Sequence, residues 1–288
     1  MSSISSEWHT QLGLSYLRAG SVGPPIVLLH GWGAFKELWW STMLALSPAY
    51  QAYAPDLPGH GGSPMGDYDD MPRLATLIGN FCDMLGLTAI TLVGHSMGGC
   101  VAVELALARP DLVAQLVLVD AAVDAKLMPV YARTFLHPQV GWLGLRFSLA
   151  MGRIVAPLGR RVPHLHGPGM LTPWLRRISY QTSHDPVAIY RILNSLFAAE
   201  VGERLGEIRQ PTLVMSGQFD SLVPLEHSRR TVAAIPSARL VIIPAALHNP
   251  MDEQPAIFER ELLTFLRQSA TPSVSLSQQL SGAVHTEG

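Results

Sequence analysis

The stretch Ile90-Thr-Leu-Val-Gly-His-Ser-Met-Gly-Gly99 decides the fold of this chain. Apolar and β-branched residues run directly into the pattern Gly-x-Ser-x-Gly, and a helical pattern begins immediately after it. A strand, a sharp turn and a helix are therefore predicted, with Ser96 at the turn. Such a turn strains the backbone of the serine and lifts its hydroxyl above the edge of a sheet. The pattern indicates a serine nucleophile, and the alternative is an ordinary strand-to-helix turn with an exposed serine.

Length and composition favour one large domain or a core with an insertion. Of the 288 residues, 48% are hydrophobic and 15% charged, so the chain can bury a large core. The net charge of −2 argues against nucleic acid as a partner. Cys82 and Cys100 form neither a metal-binding spacing nor a disulfide framework, which favours a reducing, cytoplasmic location. No signal peptide is visible, and no apolar run reaches the roughly 18 residues of a transmembrane segment.

Short apolar runs alternate with helical patterns along most of the chain. The runs predicted as core strands are residues 26–29, 50–54, 90–93, 116–119, 212–216 and 239–243, with edge strands in 11–18. The main helices are predicted over residues 35–47, 71–85 and 255–267 and directly after the serine turn. Strands that alternate with helices imply a mostly parallel sheet with helices on both faces. The fold class is therefore predicted as α/β.

Residues 121–205 interrupt this alternation. Helical pieces separated by prolines fill a length too great for a single crossover between two core strands, so an inserted helical cap is predicted. The core is then formed by residues 1–120 and 206–268. The polar residues 269–288 are predicted to be a disordered tail.

The predicted cap differs from the core in charge. It carries ten Lys and Arg residues against four acidic residues, a balance of +6, whereas the rest of the chain is at −8. One interpretation is that a basic cap face, with Arg153, Arg160 and Arg161 as its expected cluster, attracts an anionic carrier or a lipid interface. The other interpretation is that these residues are only solvated helix faces.

Three residues with the chemistry of nucleophilic catalysis follow predicted core strands. They are Ser96, Asp220 and His248. In an open α/β sheet, functional groups gather beyond the carboxyl ends of the strands. A serine hydroxyl needs a base at neutral pH, and the base needs an orienting acid. Asp120 also ends a strand and is a rival acid. Asp220 is favoured because it lies in a loop bounded by a glycine and a proline, Gly217–Pro224.

The loops at the same sheet edge supply further candidates. The backbone amide of Met97 opens the helix after the serine, and that of Trp32 lies in the loop after residue 29, so these two amides are predicted to form an oxyanion hole. Of the other histidines that follow strands, His95 is inside the turn and cannot reach its neighbour. His30 and His60 are interpreted as shaping their loops.

Four segments together resemble the α/β-hydrolase superfamily over about residues 11–268. They are His30-Gly-Trp-Gly33, Asp56-Leu-Pro-Gly-His-Gly-Gly-Ser63, Gly94-His-Ser-Met-Gly-Gly99 and the loop Gly217–Pro224. The first is similar to a segment of the pimeloyl carrier-protein methyl ester esterases and the third to one of the monoacylglycerol lipases. The resemblance implies a sheet of the α/β-hydrolase type and a catalytic triad in the chain order Ser, Asp, His.

The resemblance and the three residues predict a serine hydrolase. Its substrate is expected to be a small carboxylic ester with an apolar acyl group, cleaved through an acyl-enzyme without cofactor or metal. A carbon–carbon bond hydrolase of a ring-cleavage dienone and an acyltransferase would use the same triad and stay open as alternatives. A non-catalytic receptor or scaffold is disfavoured because all three triad residues are present.

Overall fold

A computed structural model of the chain describes residues 3–124, 127–133 and 186–270, together with isolated positions between 140 and 150. The predicted cluster of Arg153, Arg160 and Arg161 lies outside the described residues, as does 271–288 of the predicted tail. The basic cap face and the disordered tail therefore stay predictions.

The described residues form an eight-stranded sheet. Its strands are β1 (Ser5–His9), β2 (Leu14–Ala19), β3 (Pro25–Leu29), β4 (Gln51–Pro55), β5 (Ile90–His95), β6 (Val113–Val119), β7 (Thr212–Gly217) and β8 (Ala238–Ile243). They lie in the order β1-β2-β4-β3-β5-β6-β7-β8. The pairs β1–β2 and β2–β4 are antiparallel and the other neighbours are parallel, which confirms the predicted, mostly parallel sheet.

Helices connect and cover these strands. They are α1 (Trp40–Leu46), α2 (Met71–Met84), α3 (Met97–Ala108), α4 (Val130–Arg133), α5 (Pro186–Ala198), α6 (Leu225–Ala234), α7 (Pro250–Glu253) and α8 (Pro255–Ala270). Two 3₁₀ turns, Lys36–Trp39 and Val201–Glu207, precede α1 and β7. Within the described ranges, none of the helices has the length and apolar character needed to cross a membrane.

Side chains on successive strand positions pack into two separate cores. On β5, Leu92 packs with residues of α2 and α3, whereas Val93 packs on the opposite face with residues of α1 and α8. On β3, Val27 and Leu28 alternate in the same way. Because helices cover both faces, these strands are continuous apolar runs in the sequence rather than alternating ones.

Helix α5, at the end of the predicted cap, is attached to the core. Ile192 and Leu196 are buried in the core that contains α2 and α3. The hydroxyl of Ser195 also accepts a hydrogen bond of 3.2 Å from the amide of Met71, the first residue of α2. Helix α5 is therefore held against the helices on one face of the sheet.

A buried ion pair fixes the loop after β4. The carboxylate of Asp56 is fully buried and accepts hydrogen bonds from the backbone amide and the Nζ of Lys36, each at 2.7 Å. The amide of Gly62 donates to the same carboxylate at 2.9 Å. Burial alone would lower the pKa of Lys36, but the charges of Asp56 and Glu37 outweigh it and raise that pKa. The lysine is therefore a charged group inside the fold.

We expect Asp56→Asn to lower the free energy of unfolding by about 3 kcal/mol. Removing one partner of a buried pair typically costs about 3–5 kcal/mol, and the lower end applies because Glu37 lies 3.4 Å from Lys36. Asp69→Asn is the control, since its pair with Arg73 is exposed and should cost less than about 1 kcal/mol. Urea unfolding of both variants measures the difference. Equal small losses would mean that the buried pair contributes no more than a surface pair.

Candidate active site

The turn between β5 and α3 presents Ser96. Its backbone has φ 52° and ψ −118°, a conformation that residues other than glycine rarely adopt. The amide of Ser96 donates to the carbonyl of Val119 at 3.0 Å, and its own carbonyl accepts from the amides of Gly99 at 2.9 Å and Ala122 at 3.0 Å. These hydrogen bonds hold the strained turn in place, and backbone strain of this kind makes Ser96 a candidate functional residue.

The serine turn lies directly against the loop that follows β3. A Cβ on Gly98 would lie 2.6 Å from the carbonyl oxygen of His30, and a Cβ on Gly31 would lie 2.9 Å from the Cβ of Ser96. Neither position has room for a side chain, so glycine permits this contact. The backbone segments that contain Trp32 and Met97 therefore meet beside the serine.

Asp220 and His248 form a hydrogen-bonded pair at the same edge of the sheet. Nδ1 of His248 donates to Oδ2 of Asp220 at 2.7 Å, because a carboxylate oxygen is the acceptor. Oδ1 of Asp220 accepts from the amides of Leu222 at 2.8 Å and Val223 at 3.0 Å. The acid side chain is fully buried and that of His248 is 17% exposed. With its hydrogen on Nδ1, the neutral imidazole keeps a lone pair on Nε2 for use as a base.

His248 is also connected to the serine turn. Nε2 of His95, the residue before Ser96, lies 2.7 Å from the backbone carbonyl oxygen of His248. The two imidazole rings lie 4.8 Å apart between centroids, with 52° between their planes. The structure thus brings Asp220 and His248 into contact and holds His248 against the turn that carries Ser96.

The rival acid Asp120 lies behind this pair and has a different role in the hydrogen-bond network. It is fully buried with φ 41°, and its Oδ1 accepts from the hydroxyl of Ser216 and the amide of Gly217, each at 3.0 Å. Burial, and next the negative charge of Asp220, raise the pKa of Asp120 well above its usual range. Asp120 therefore holds the end of β7, and its surroundings favour the protonated form of its carboxyl.

Two acids and a histidine lie close enough together to be considered as a metal site. Among the described residues, ligand atoms of Asp120, Asp220 and His248 lie within 4.8 Å of one another. Two ligands about 2.0–2.2 Å from one tetrahedral ion lie more than 3 Å apart. The 2.7 Å between Nδ1 and Oδ2 fits a direct hydrogen bond instead. The distance therefore supports a hydrogen-bonded pair of His248 and Asp220.

Other histidines near the sheet edge bind backbone groups. Nε2 of His30 accepts from the amide of Leu57 at 2.9 Å, and Nε2 of His60 accepts from the amide of Gly33 at 3.0 Å. Both rings thus hold loops, as their loop-shaping interpretation expects. His227 was not among the histidines predicted near the sheet edge, because it does not follow a predicted strand. It is buried in α6, and burial lowers its pKa.

The loop before His248 is held by contacts that the sequence analysis missed. The carboxylate of Glu253 accepts from the amide of Leu247 at 2.5 Å. The side-chain oxygen of Gln218 accepts from the amide of Ala245 at 3.1 Å. The first bond spans six residues of one segment and the second joins two different loops. Periodic patterns in the sequence reveal neither kind of contact.

Neither cysteine competes with Ser96 as a nucleophile. Cys82 and Cys100 are free and buried. Burial raises the pKa of Cys82 to about 12 and also raises that of Cys100. Because the thiolate is the reactive form, both thiols are inert at neutral pH.

The fold and the serine turn define a class of protein. The family described as the alpha/beta hydrolase fold matches residues 24–255 of this chain. The chain therefore belongs to the α/β-hydrolase family, and the predicted fold class and resemblance are confirmed.

Particular relatives are similar along most of the chain. A pimeloyl-acyl-carrier protein methyl ester esterase of Photobacterium profundum is 29% identical over 254 residues, covering 85% of this chain and 95% of that protein. A thermophilic esterase from Thermogutta terrifontis has a TM-score of 0.67 at 25% identity and covers 89% of this chain and 95% of its own. The bromoperoxidase from Bacillus anthracis has a TM-score of 0.76, covering 92% and 100%, but at 21% identity it shows the fold alone. The esterases confirm the predicted class of enzyme, a hydrolase that acts on ester bonds.

Proposed function

We propose that this chain is a serine esterase in which Ser96 is the nucleophile, His248 the base and Asp220 the orienting acid. The observation that carries the proposal is the 2.7 Å hydrogen bond from Nδ1 of His248 to Asp220, on a histidine held against the serine turn. The bond selects the tautomer whose Nε2 accepts a proton.

The first half-reaction forms the acyl-enzyme. Nε2 of His248 takes the proton of Ser96 Oγ as this oxygen attacks the ester carbonyl carbon. The negative charge that develops on the carbonyl oxygen is stabilised by the amides of Trp32 and Met97, each contributing about 3 kcal/mol in comparable sites. The tetrahedral intermediate then breaks its bond to the alcohol oxygen, which leaves with the proton from Nε2.

The second half-reaction returns the free enzyme. His248 takes a proton from water as the water oxygen attacks the acyl carbonyl, and the same two amides again bind the oxyanion. Breakdown releases the carboxylic acid and returns the proton to Ser96 Oγ. The alcohol and the acid are the products, and neither half-reaction uses a metal or a cofactor.

An apolar acyl group is the proposed specificity. Phe219, Leu222 and Leu247, which flank Asp220 and His248 in the chain, are large apolar residues that remain exposed. The hydroxyl of Tyr131, at the start of the predicted cap, donates to the carbonyl of Ser221 in the same loop. The loops that carry Asp220 and His248 therefore present an exposed apolar surface next to the proposed triad. Such a surface favours a hydrocarbon chain or ring.

An anionic carrier or a lipid interface at the cap is the second part of the proposed specificity. It rests on the +6 balance of residues 121–205. The Photobacterium relative is named for a substrate attached to an acyl-carrier protein, which supports a carrier as the partner. A cytoplasmic location remains part of the same proposal.

A panel of substrates tests the proposed reaction. We expect hydrolysis of p-nitrophenyl acetate, butyrate and octanoate that depends on Ser96, with the longer acyl chains giving higher kcat/KM. A ring-cleavage dienone tests for carbon–carbon bond hydrolysis, and an added alcohol tests for acyl transfer. Faster turnover of the dienone, or an ester product in place of the acid, would replace the esterase assignment with one of these reactions.

A second pair of substrates tests the charge of the cap. An anionic and a neutral ester of equal chain length are compared at low and high ionic strength. If the cap attracts anions, kcat/KM for the anionic ester should fall more with salt, because screening shortens the range of the attraction. If kcat/KM of both esters depends equally on salt, and the variant Arg160→Glu/Arg161→Glu changes neither value, the basic residues are only a solvated surface.

A further inference from the structure

We propose that His95 is a positioning residue that ties the catalytic histidine to the turn of the nucleophile through its hydrogen bond to the backbone of His248. The inference rests on the proposed function, since it assigns a role within that triad. It concerns a side chain that the reaction itself does not use.

The bond has a defined direction. A backbone carbonyl only accepts, so the 2.7 Å contact requires a hydrogen on Nε2 of His95. His95 is buried, and a short hydrogen bond is stronger away from solvent than in water. The carbonyl therefore selects the Nε2–H tautomer of His95.

The bond joins two parts of the fold that the sheet does not join directly. His95 ends β5, whereas His248 lies in the loop after β8, and β6 and β7 separate these strands in the sheet. Small shifts of twist across two intervening strands would change the distance between nucleophile and base. A direct hydrogen bond between the end of β5 and the loop that carries His248 removes this freedom.

The ring of His95 is confined on a second side. A Cβ on Gly31 would lie only 3.0 Å from Nδ1 of His95, so the oxyanion-hole loop packs closely against this ring. The imidazole of His248 lies 4.8 Å away between centroids. His95 is thus fitted between the loop that bears Trp32 and the base, and it holds the spacing of both relative to Ser96.

The other hydrogen bonds of the His248 loop fasten it on a different side. The amide of Phe219 donates to the carbonyl of Ala246 at 2.8 Å, and Glu253 accepts from Leu247. These bonds, like the bond to Asp220, would survive the loss of His95. The base would then keep its acid but lose its alignment with the serine, and a misplacement of about 1 Å costs roughly 10²-fold in rate.

Two variants separate the hydrogen bond from the packing. His95→Phe keeps an aromatic ring but has no donor, and His95→Gln keeps an N–H donor on a planar group. With p-nitrophenyl butyrate, we expect kcat of the Phe variant to fall by about 10- to 100-fold with KM nearly unchanged. The Gln variant should recover most of this loss. Rates of labelling by a fluorophosphonate should follow the same order, and melting temperatures monitor folding.

Several results would overturn the proposal. They are a Phe variant as active as the parent, a Gln variant that loses as much as the Phe variant, or a loss that falls on KM alone. If the Phe variant fails to fold, His95→Leu takes its place in the comparison. In the unmodified protein, ¹⁵N chemical shifts must place the hydrogen on Nε2 of His95, and a bare Nε2 would also refute it. Failure of the proposed function gives a different result, activity that survives Ser96→Ala.

Discussion

Replacing Ser96 by alanine is expected to lower kcat for ester hydrolysis on the order of 10⁶-fold, the loss seen when a triad serine is removed. The expectation follows from the strained turn that presents Ser96 and from the proposed base, His248, which is held against this turn. Activity of the purified variant on p-nitrophenyl butyrate measures the effect. KM is less informative, because the chemical step is the one removed.

Ser47→Ala is the matched control for this variant. Ser47 is also a buried serine, but it directly follows α1, and its hydroxyl donates to the carbonyl of Leu44 at 3.0 Å. Its kcat should stay within about twofold of the parent, since the hydroxyl is only a local helix-end partner. Turnover that survives in Ser96→Ala at the level of this control would remove Ser96 from the mechanism.

Asp220→Asn should lower kcat by about 10⁴-fold, by analogy with the same change in another triad. The carboxamide can donate its N–H to Nδ1 of His248, which places the hydrogen of the imidazole on Nε2 and leaves no base for Ser96. The two backbone amides that now bond Oδ1 can still bond the amide oxygen, so the fold should persist. Steady-state kinetics of Asp220→Asn and of Asp120→Asn provide the measurement.

Asp120→Asn is the comparison that decides between the two acids. Burial and the charge of Asp220 raise the pKa of Asp120 and so favour its neutral form, which the carboxamide resembles; the amide oxygen can still accept from Ser216 and Gly217. Its kcat should fall by less than about tenfold, since the bond to His248 is intact. If Asp120→Asn loses activity and Asp220→Asn does not, the orienting acid is Asp120.

The stability of the Asp120→Asn variant has a predicted sign as well. A carboxyl whose pKa is raised on folding destabilises the folded state at pH values above its unfolded pKa, near 3.8, because the unfolded chain ionises more easily. The asparagine has no such penalty. At neutral pH the variant should therefore be at least as stable as the parent, and this advantage should vanish as the pH falls toward 3.8.

Much of the fold could be predicted because helices cover the sheet on both faces. Strands such as β3 and β5 then become short apolar runs, which are visible without any alignment. Helix α6 was missed because its buried positions, His227, Ser228 and Thr231, are polar and form no apolar stripe. The helix predicted over residues 35–47 is in fact a 3₁₀ turn followed by α1, a division that periodicity does not resolve.

The residues of the candidate site that follow core strands could be predicted from the sequence. Ser96, Asp220 and His248 each follow a core strand, but so does Asp120, and the choice between the acids depends on which carboxylate reaches Nδ1. His95 was set aside as a base because it cannot turn onto its neighbour. Its partner is a carbonyl 153 positions along the chain, which no local pattern can reveal.

The most direct test of the account is to label the protein with a fluorophosphonate and map the modified peptide. The reagent reacts with a serine only when a base activates the hydroxyl. The account predicts one phosphonyl group per chain, on Ser96, with loss of esterase activity in proportion to labelling. A label on any other residue, or full activity after complete labelling of Ser96, would contradict it.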